Sequence, residues 1–438
     1  MKRIAFVLSW LAWCGSAAAQ GPAIPLTLDD AIARGLANSE RLAELQARSE
    51  GAAAAEAGRK AAALPILAVT GGYTRTNHVD EYVLPGIPPR VIYPDVPDNL
   101  RARLDLQWPI YTGGRTGALE RAARAERDAS VEEIAAARAD LRLEITRAFW
   151  ALVTAGESEQ VVARSLETLG AHVRDLRNRL EQGFIPPNDV LSAEAQESRQ
   201  RLLAIEARNL RATADADLRR LLGAEEPGFF QPVLPAEGAV GVSADAAALV
   251  SAAKAQRPER RALADRSAGA RARADASHAA AFPQVSVNGG YDYARPNPRI
   301  FPRAAEWRYS FDVSVNATWQ LWDGGRRHAD EAEAAAAVRA ADSRIGEFDR
   351  QVTFEVRQRL LDLESSRAGI AAAEDGVRSA TEALRVVGER FAAGVAMSTD
   401  VLDAQVAMLQ ASLERTRTVA SARLAEARLA RAIGQEHP

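Results

Sequence analysis

The chain has 438 residues, of which 47% are hydrophobic, a total inflated by alanine, and only 6% are aromatic; mean hydropathy is −0.20, a poor match to the three or so conventional domains that the length suggests. A surplus of Ala, Leu, Glu and Arg favours long helices packed side by side. Lys plus Arg total 55 against 58 for Asp plus Glu, a formal charge of −3 without a run of like charge, which argues against a nucleic-acid binder; no apolar stretch reaches the ~18 residues of a membrane-spanning helix, whereas a β-barrel, whose strands alternate, stays open.

Residues 1–19 have the form of a secretory signal. Lys2 and Arg3 precede an apolar run from Ile4 to Trp13, and Ala17, Ala18 and Ala19 give an A-x-A cleavage pattern that leaves Gln20 first. Cys14 is a poor lipid acceptor because the bulky Trp13 precedes it. Cleavage removes this single cysteine, so neither a disulfide nor thiol chemistry is expected, and the destination is outside the inner membrane of a bacterium.

An internal repeat organises the rest. Leu64-Pro65 through Gly71-Gly72-Tyr73 matches Phe282-Pro283 through Gly289-Gly290-Tyr291. Trp108 through Gly113-Gly114-Arg115 matches Trp319 through Gly324-Gly325-Arg326. Gly183 with Asp189-Val190-Leu191 matches Gly394 with Asp400-Val401-Leu402, and Leu222-Gly223 matches Ile433-Gly434. The order is the same in both halves. Repeat 1 is set at 20–223, a linker with Pro227, Pro232 and Pro235 at 224–241, and repeat 2 at 242–438.

Within each repeat the hydrophobic period switches. Helices over 27–64 and 243–281 come first. Leu104, Leu106, Trp108 and Ile110 then alternate with Arg103, Asp105, Gln107 and Pro109. Tyr309, Phe311, Val313 and Val315 alternate in the same way with Ser310, Asp312 and Ser314. These are strands with one apolar and one polar face. With a partner strand before each they form hairpins at about 65–110 and 283–321, whose loops, 78–99 and 294–307, hold five and three prolines. After each glycine pair a proline-free helical run follows, 115–181 and 326–392, about 100 Å long at ~1.5 Å per residue. Val162, Leu166, Leu169, Val173, Leu176 and Leu180 step by fours and threes, as do Ile345, Phe348, Val352, Val356, Leu360 and Leu363. That spacing is a coiled-coil seam. The helices turn at Gly183 and Gly394 and return over 189–222 and 400–433.

Ten-residue strands tilted near 40° span a hydrocarbon layer of ~25 Å, and helices near 100 Å must project from it. Four strands per chain fall short of the roughly eight that a closed barrel needs, so other copies must close the edges. Two tandem sets of helix, hairpin, glycine pair, very long helix, Gly-x5-Asp-Val-Leu turn and return helix resemble the TolC-like outer-membrane efflux protein family over essentially the whole mature chain. The resemblance implies a mixed α and β fold: a homotrimer in the outer membrane of a Gram-negative bacterium, with a twelve-stranded transmembrane β-barrel continuous with a periplasmic α-barrel of coiled-coil helices. It also implies passive conduction in a tripartite efflux or type I secretion system. The partners are then a periplasmic adaptor (membrane fusion) protein, an inner-membrane pump of RND, ABC or MFS type, and outer-membrane lipid. The alternative is a periplasmic coiled-coil scaffold, which leaves the amphipathic strands unexplained.

The resemblance places Asp400 and Asp403 at the periplasmic entrance constriction, where three copies of each would concentrate cations. It places Gly183, Asp189, Phe391 and Gly394 at tip turns that meet the adaptor. Val395, Ala396 and Met397 replace the polar side chains that often lock this entrance, so the lock is expected to be weaker or built with Arg390. Read on residues alone, Gly183 and Gly394 are helix C-caps, and Asp189 and Asp400 are N-caps. Gly113, Gly114, Gly324 and Gly325 are strand-to-helix joints, since no phosphate-loop pattern accompanies them. The five histidines are scattered without metal-ligand spacing and no nucleophile motif appears, so neither an enzyme, a metal nor a cofactor is expected.

Overall fold

The computed structural model describes residues 23–234 and 245–435; the expected signal segment and residues 235–241 of the expected linker lie outside them. In chain order the elements are β1 (Ala23–Leu26), α1 (Leu28–Ala37), α2 (Glu40–Ala61), β2 (Ile66–Arg75), β3 (Tyr82–Leu84), β4 (Arg90–Tyr93), β5 (Asp98–Tyr111), α3 (Arg115–Glu181) and α4 (Pro187–Leu222). After them come β6 (Phe229–Pro232), α5 (Ala246–Gln256), α6 (Pro258–His278), β7 (Gln284–Arg295), β8 (Arg308–Thr318), α7 (Arg326–Ala392) and α8 (Ser398–Ala432). Both α3 and α7 have 67 residues.

The chain divides into two compact units that do not follow the repeats. One contains residues up to Glu40 with 138–253 and 355–438, the other residues 41–137 and 254–354. Each therefore draws segments from both halves of the sequence.

The second unit holds one four-stranded antiparallel sheet in the order β2-β5-β7-β8. Strand β5 pairs on both sides and joins the two hairpins, whereas β2 and β8 each end the sheet with an unpaired edge. Register sets Val69, Leu104, Tyr291 and Phe311 in one cross-strand row, and Thr70, Arg103, Asp292 and Ser310 in the next. Alternation therefore gives an apolar and a polar face, as a period of two requires. The apolar face is bare: Val69 is 77% exposed and Val313 72%. Strands β3 and β4 form a small hairpin of their own inside the proline-rich loop 78–99. The indole N–H of Trp108 donates to the Ala63 carbonyl (3.3 Å) and that of Trp319 to the Ala281 carbonyl (3.1 Å), so both repeats pin the strand end in the same way.

The first unit is helical except for β1 and β6, which pair in parallel. Residues 224–234, which their prolines mark as linker, thus contain a strand. The Asp215 carboxylate accepts the Phe230 N–H at 2.8 Å, and the Phe230 ring is fully buried; Pro232 falls at the last position, where a missing donor matters least. Along the α3 seam Val162, Leu169, Val173 and Leu176 are buried, with Leu166 and Leu180 half-buried. Along α7 Val352, Val356 and Leu363 are buried. Gly35 lets α1 lie against α3: a Cβ there would stand 2.4 Å from the Ile145 Cδ1.

Candidate functional site

In the first unit, the two tip turns are built alike. The Gly183 N–H donates to the Leu180 carbonyl and the Phe184 N–H reaches back to that of Arg179, both at 2.9 Å. The Gly394 N–H donates to Phe391 (3.0 Å) and the Val395 N–H to Arg390 (2.9 Å). The bond reaching back five residues defines a Schellman ending, which needs a left-handed residue; Gly183 and Gly394 have φ of +76° and +74°.

The helices that follow begin two residues earlier than Asp189 and Asp400. The N-caps are Pro186 and Met397, which offer no side-chain oxygen, and both aspartates sit at the third helical position. The expectation that they are N-caps is thus corrected. Pro187, directly after the cap, holds the Pro186 backbone extended. Asp400 still works as half of a capping box: its Oδ2 accepts the Met397 N–H at 2.9 Å. Asp189 lacks that bond because Pro186 has no N–H to give. One turn beyond Asp400, Asp403 is exposed, and its carboxylate has no hydrogen bond or ion pair among the described residues. The spacing puts both carboxylates on one exposed face of α8.

Phe391 turns inward. It packs on the buried cluster of Leu169, Val173, Leu176, Val190, Ala193 and Leu402. It meets His172 edge-on at 5.4 Å between centroids, and the Arg179 guanidinium lies 4.8 Å from its ring centre. The side chains that the tips present outward are instead Phe184, 75% exposed, with Val395 and Met397. Phe184 was legible in principle, since the repeat offset pairs it with Val395. Arg390 forms no ion pair among the described residues, while Arg385 pairs with both Glu382 and Glu389. His172, which spacing marks as unremarkable, is half-buried with Nε2 3.4 Å from the Ser398 Oγ at the start of α8. Burial pushes its pKa below the usual imidazole value; Asp175 opposes this and Arg179 adds to it.

In the second unit, the strand-to-helix joints have φ of +62° and +86° at Gly113 and Gly114, and +71° and +90° at Gly324 and Gly325. Each hands the chain to a capped helix. The Thr112 Oγ1 accepts the Thr116 N–H (3.3 Å), and the Asp323 carboxylate accepts the Gly325 and Arg327 N–H groups (3.1 and 2.9 Å).

The polar face of the sheet centres on Arg103. Its Nε donates to Asp105 (2.6 Å), while Nη1 reaches Asp292 and, at 3.1 Å, Asp312. The Arg101 Nε donates to Asp292 (2.5 Å) and Arg299 pairs with Asp312 (3.3 Å). An open sheet with an exposed apolar face, a charged opposite face and two unpaired edges suits neither water nor lipid alone. It suits a wall between them, once the edges are closed. Among the described residues no group of three or more His, Cys, Asp or Glu side chains is placed to hold a metal ion, and no helix is long and apolar enough to cross a membrane.

Comparison with known proteins agrees with this geometry. The sequence pattern of the family described as outer membrane efflux protein matches residues 31–224 and 249–435. The outer membrane protein TolC of Vibrio cholerae serotype O1 is 25% identical over 370 residues, 84% of this chain and 81% of that protein. Among solved structures, the outer membrane protein VceC of Vibrio cholerae superposes with a TM-score of 0.77 at 20% identity, covering 93% of this chain and 96% of the other. The Campylobacter jejuni CmeC outer membrane channel gives 0.79 at 16% identity over 94% and 87%.

Proposed function

The chain belongs to the outer membrane efflux protein family, and from that premise we propose that three copies close one twelve-stranded barrel, edge β8 of one copy pairing with edge β2 of the next. The protein is an outer-membrane efflux channel of a Gram-negative bacterium with a large periplasmic portion. On this reading each repeat, 20–223 and 242–438, supplies two strands and one long helix with its return. The apolar face of the sheet meets lipid and the face carrying Arg103 lines the water-filled lumen. Asp400 and Asp403 ring the periplasmic entrance. Gly183, Asp189, Gly394 and the outward Phe184, Val395 and Met397 form the surface for a periplasmic adaptor. Phe391 acts from beneath that surface by holding α7 against α3. The adaptor links the channel to an inner-membrane pump of RND, ABC or MFS type, which supplies the energy and selects the cargo.

The observation that carries the reading is the exposed apolar face of an edge-open sheet, with Val69 and Val313 bare. A periplasmic scaffold would leave those residues in water at a cost of ~25 cal/mol per Å² of apolar surface. Purified protein reconstituted into a planar bilayer should give stepwise ion conductance. Correctly folded particles that leave the bilayer sealed, recovered from the soluble periplasmic fraction, would favour the scaffold.

A further inference from the structure

At one end of the polar face, the connection between β7 and β8 folds back over the sheet instead of extending away from it. Asn297 is buried and its Nδ2 donates to the Arg308 carbonyl (3.0 Å) and the Ser310 Oγ (3.1 Å), while its Oδ1 accepts the Arg299 N–H (2.9 Å). Between this connection and the strands lies a pocket of about 320 Å³, lined in part by Thr74, Asn99, Arg101, Pro296, Pro298 and Arg303. Its lining combines the Pro296 and Pro298 rings with two guanidinium groups, that of Arg303 from the connection and that of Arg101 from β5.

Arg303 differs from its neighbours on this face. Arg101, Arg103 and Arg299 each have a carboxylate partner. Arg303 donates only to neutral oxygens, those of Tyr93 (2.6 Å) and Asn99 (2.9 Å), and its guanidinium lies 5.3 Å from the Tyr93 ring centre. Its Nε is buried without a hydrogen-bond partner. A buried donor of a permanent cation left open is costly, and it is satisfied most strongly by an anionic oxygen. Arg101 uses only its Nε on Asp292, so its terminal nitrogens are open to the same pocket. In the surrounding cluster the four guanidiniums of residues 101, 103, 299 and 303 face three carboxylates, those of Asp105, Asp292 and Asp312, which leaves one cation in excess.

We propose that this pocket is a binding site for organic anions at the mouth of the channel, taking a flat apolar body that ends in a sulfonate or carboxylate. Arg303 and Arg101 bind the oxyanion, and Pro296 and Pro298 cover the apolar part. The proposal rests on the channel reading, which puts the polar face in the lumen; three copies then give the exit three such sites, opposite in sign to the acidic entrance. Outgoing anions would pause there, and the site would discriminate among solutes after the pump has already acted.

The test is conductance of the reconstituted trimer in chloride, with 2-naphthalenesulfonate added on the side of the proline-rich loops. The expected result is concentration-dependent block, with inorganic sulfate blocking much more weakly. Arg303→Gln keeps neutral hydrogen bonding and should raise the half-blocking concentration about tenfold, as loss of one charge-assisted bond implies. Should that variant fail to assemble, Arg101→Gln supplies the same comparison, since Asp292 keeps Arg103 as a partner. Conductance without block, equal block by sulfate, or block insensitive to both substitutions would overturn the site and leave the channel reading intact. An assembled trimer without conductance would overturn the channel reading and the site's role with it.

Discussion

The two strand-to-helix joints have the same sequence pattern and the same backbone, yet they sit in different surroundings. A Cβ on Gly113 would stand 2.7 Å from the Ala279 carbonyl oxygen and 2.8 Å from the Phe282 Cβ; a Cβ on Gly324 would meet nothing within 4 Å. The first joint is packed because the second repeat follows it and lays residues 279–282 against it. The second joint has no later repeat to cover it. Its counterpart segment, Ala61 to Leu64, belongs to the other end of the sheet, beside the unpaired edge of β2. A tandem repeat that packs repeat 2 on repeat 1 leaves the Gly324 joint and the β8 edge open at one end, and residues 61–64 and the β2 edge at the other, so another copy of the chain can fill both.

The largest effect is expected from breaking the packed joint. Gly113→Ala combines a left-handed backbone with a backbone clash that no side-chain rotation relieves, and should destabilise the chain by about 2–4 kcal/mol. A thermal melt and the yield of folded protein read this directly. Gly324→Ala has only the backbone penalty, about 1–2 kcal/mol within one chain. If a neighbouring copy covers that joint as residues 279–282 cover Gly113, Gly324→Ala should preserve secondary structure and still weaken assembly. Equal tolerance of both substitutions in folding and in assembly would erase the distinction between the joints.

A second contrast lies between the tips, where Asp400 is tied to the Met397 N–H and Asp189 has no such bond. Replacing Asp400 and Asp403 together by Ala removes half a capping box, about 0.5–2 kcal/mol, which helices of this length tolerate. If the two line a threefold entrance, as proposed, it also removes six carboxylates from it. The trimer should still assemble, conduct more, and prefer cations severalfold less in a planar bilayer. Asp189→Ala should change selectivity less. Unchanged selectivity in an assembled double variant would leave the two aspartates with a structural role alone.

The smallest effect concerns His172, which has no counterpart in the other repeat. Burial depresses its pKa in the folded chain, so the unfolded chain binds the proton first. The tip is therefore fully stable above the ordinary histidine pKa of about 6.5 and loses stability as pH falls below it. His172→Phe should remove this acid sensitivity while keeping the edge-on contact with Phe391. Hydrogen exchange at the ends of α3 and α7, compared at neutral and mildly acid pH, checks it; an identical acid response in the variant would assign that response to other groups.

Much of this architecture was legible in the sequence because it depends on local signals. Glycine pairs at φ above +60°, proline-free helical runs and period-two strands need no partner to be recognised. The elements that escaped depend on distant contacts. Strand β6 looked like linker because Pro232 and Pro227 mask a four-residue strand whose partner, β1, lies about two hundred residues away. The helix starts shifted to Pro187 and Ser398 because the caps are the featureless Pro186 and Met397 rather than the aspartates. The resemblance places Phe391 at the tip but does not show that it packs inward onto His172, a pairing between residues of different repeats that no spacing rule reveals. Arg303 escaped for the same reason, since its meaning comes from the carboxylate it lacks.

The exposure of the Gly324 joint and a threefold entrance both require that other copies close the open edges β2 and β8. The most direct measurement is the mass of the particle extracted from outer membranes in detergent, corrected for bound detergent. Three chains per particle, with the β-structure intact, is the predicted result. A stable single-chain particle with folded β-structure would contradict it.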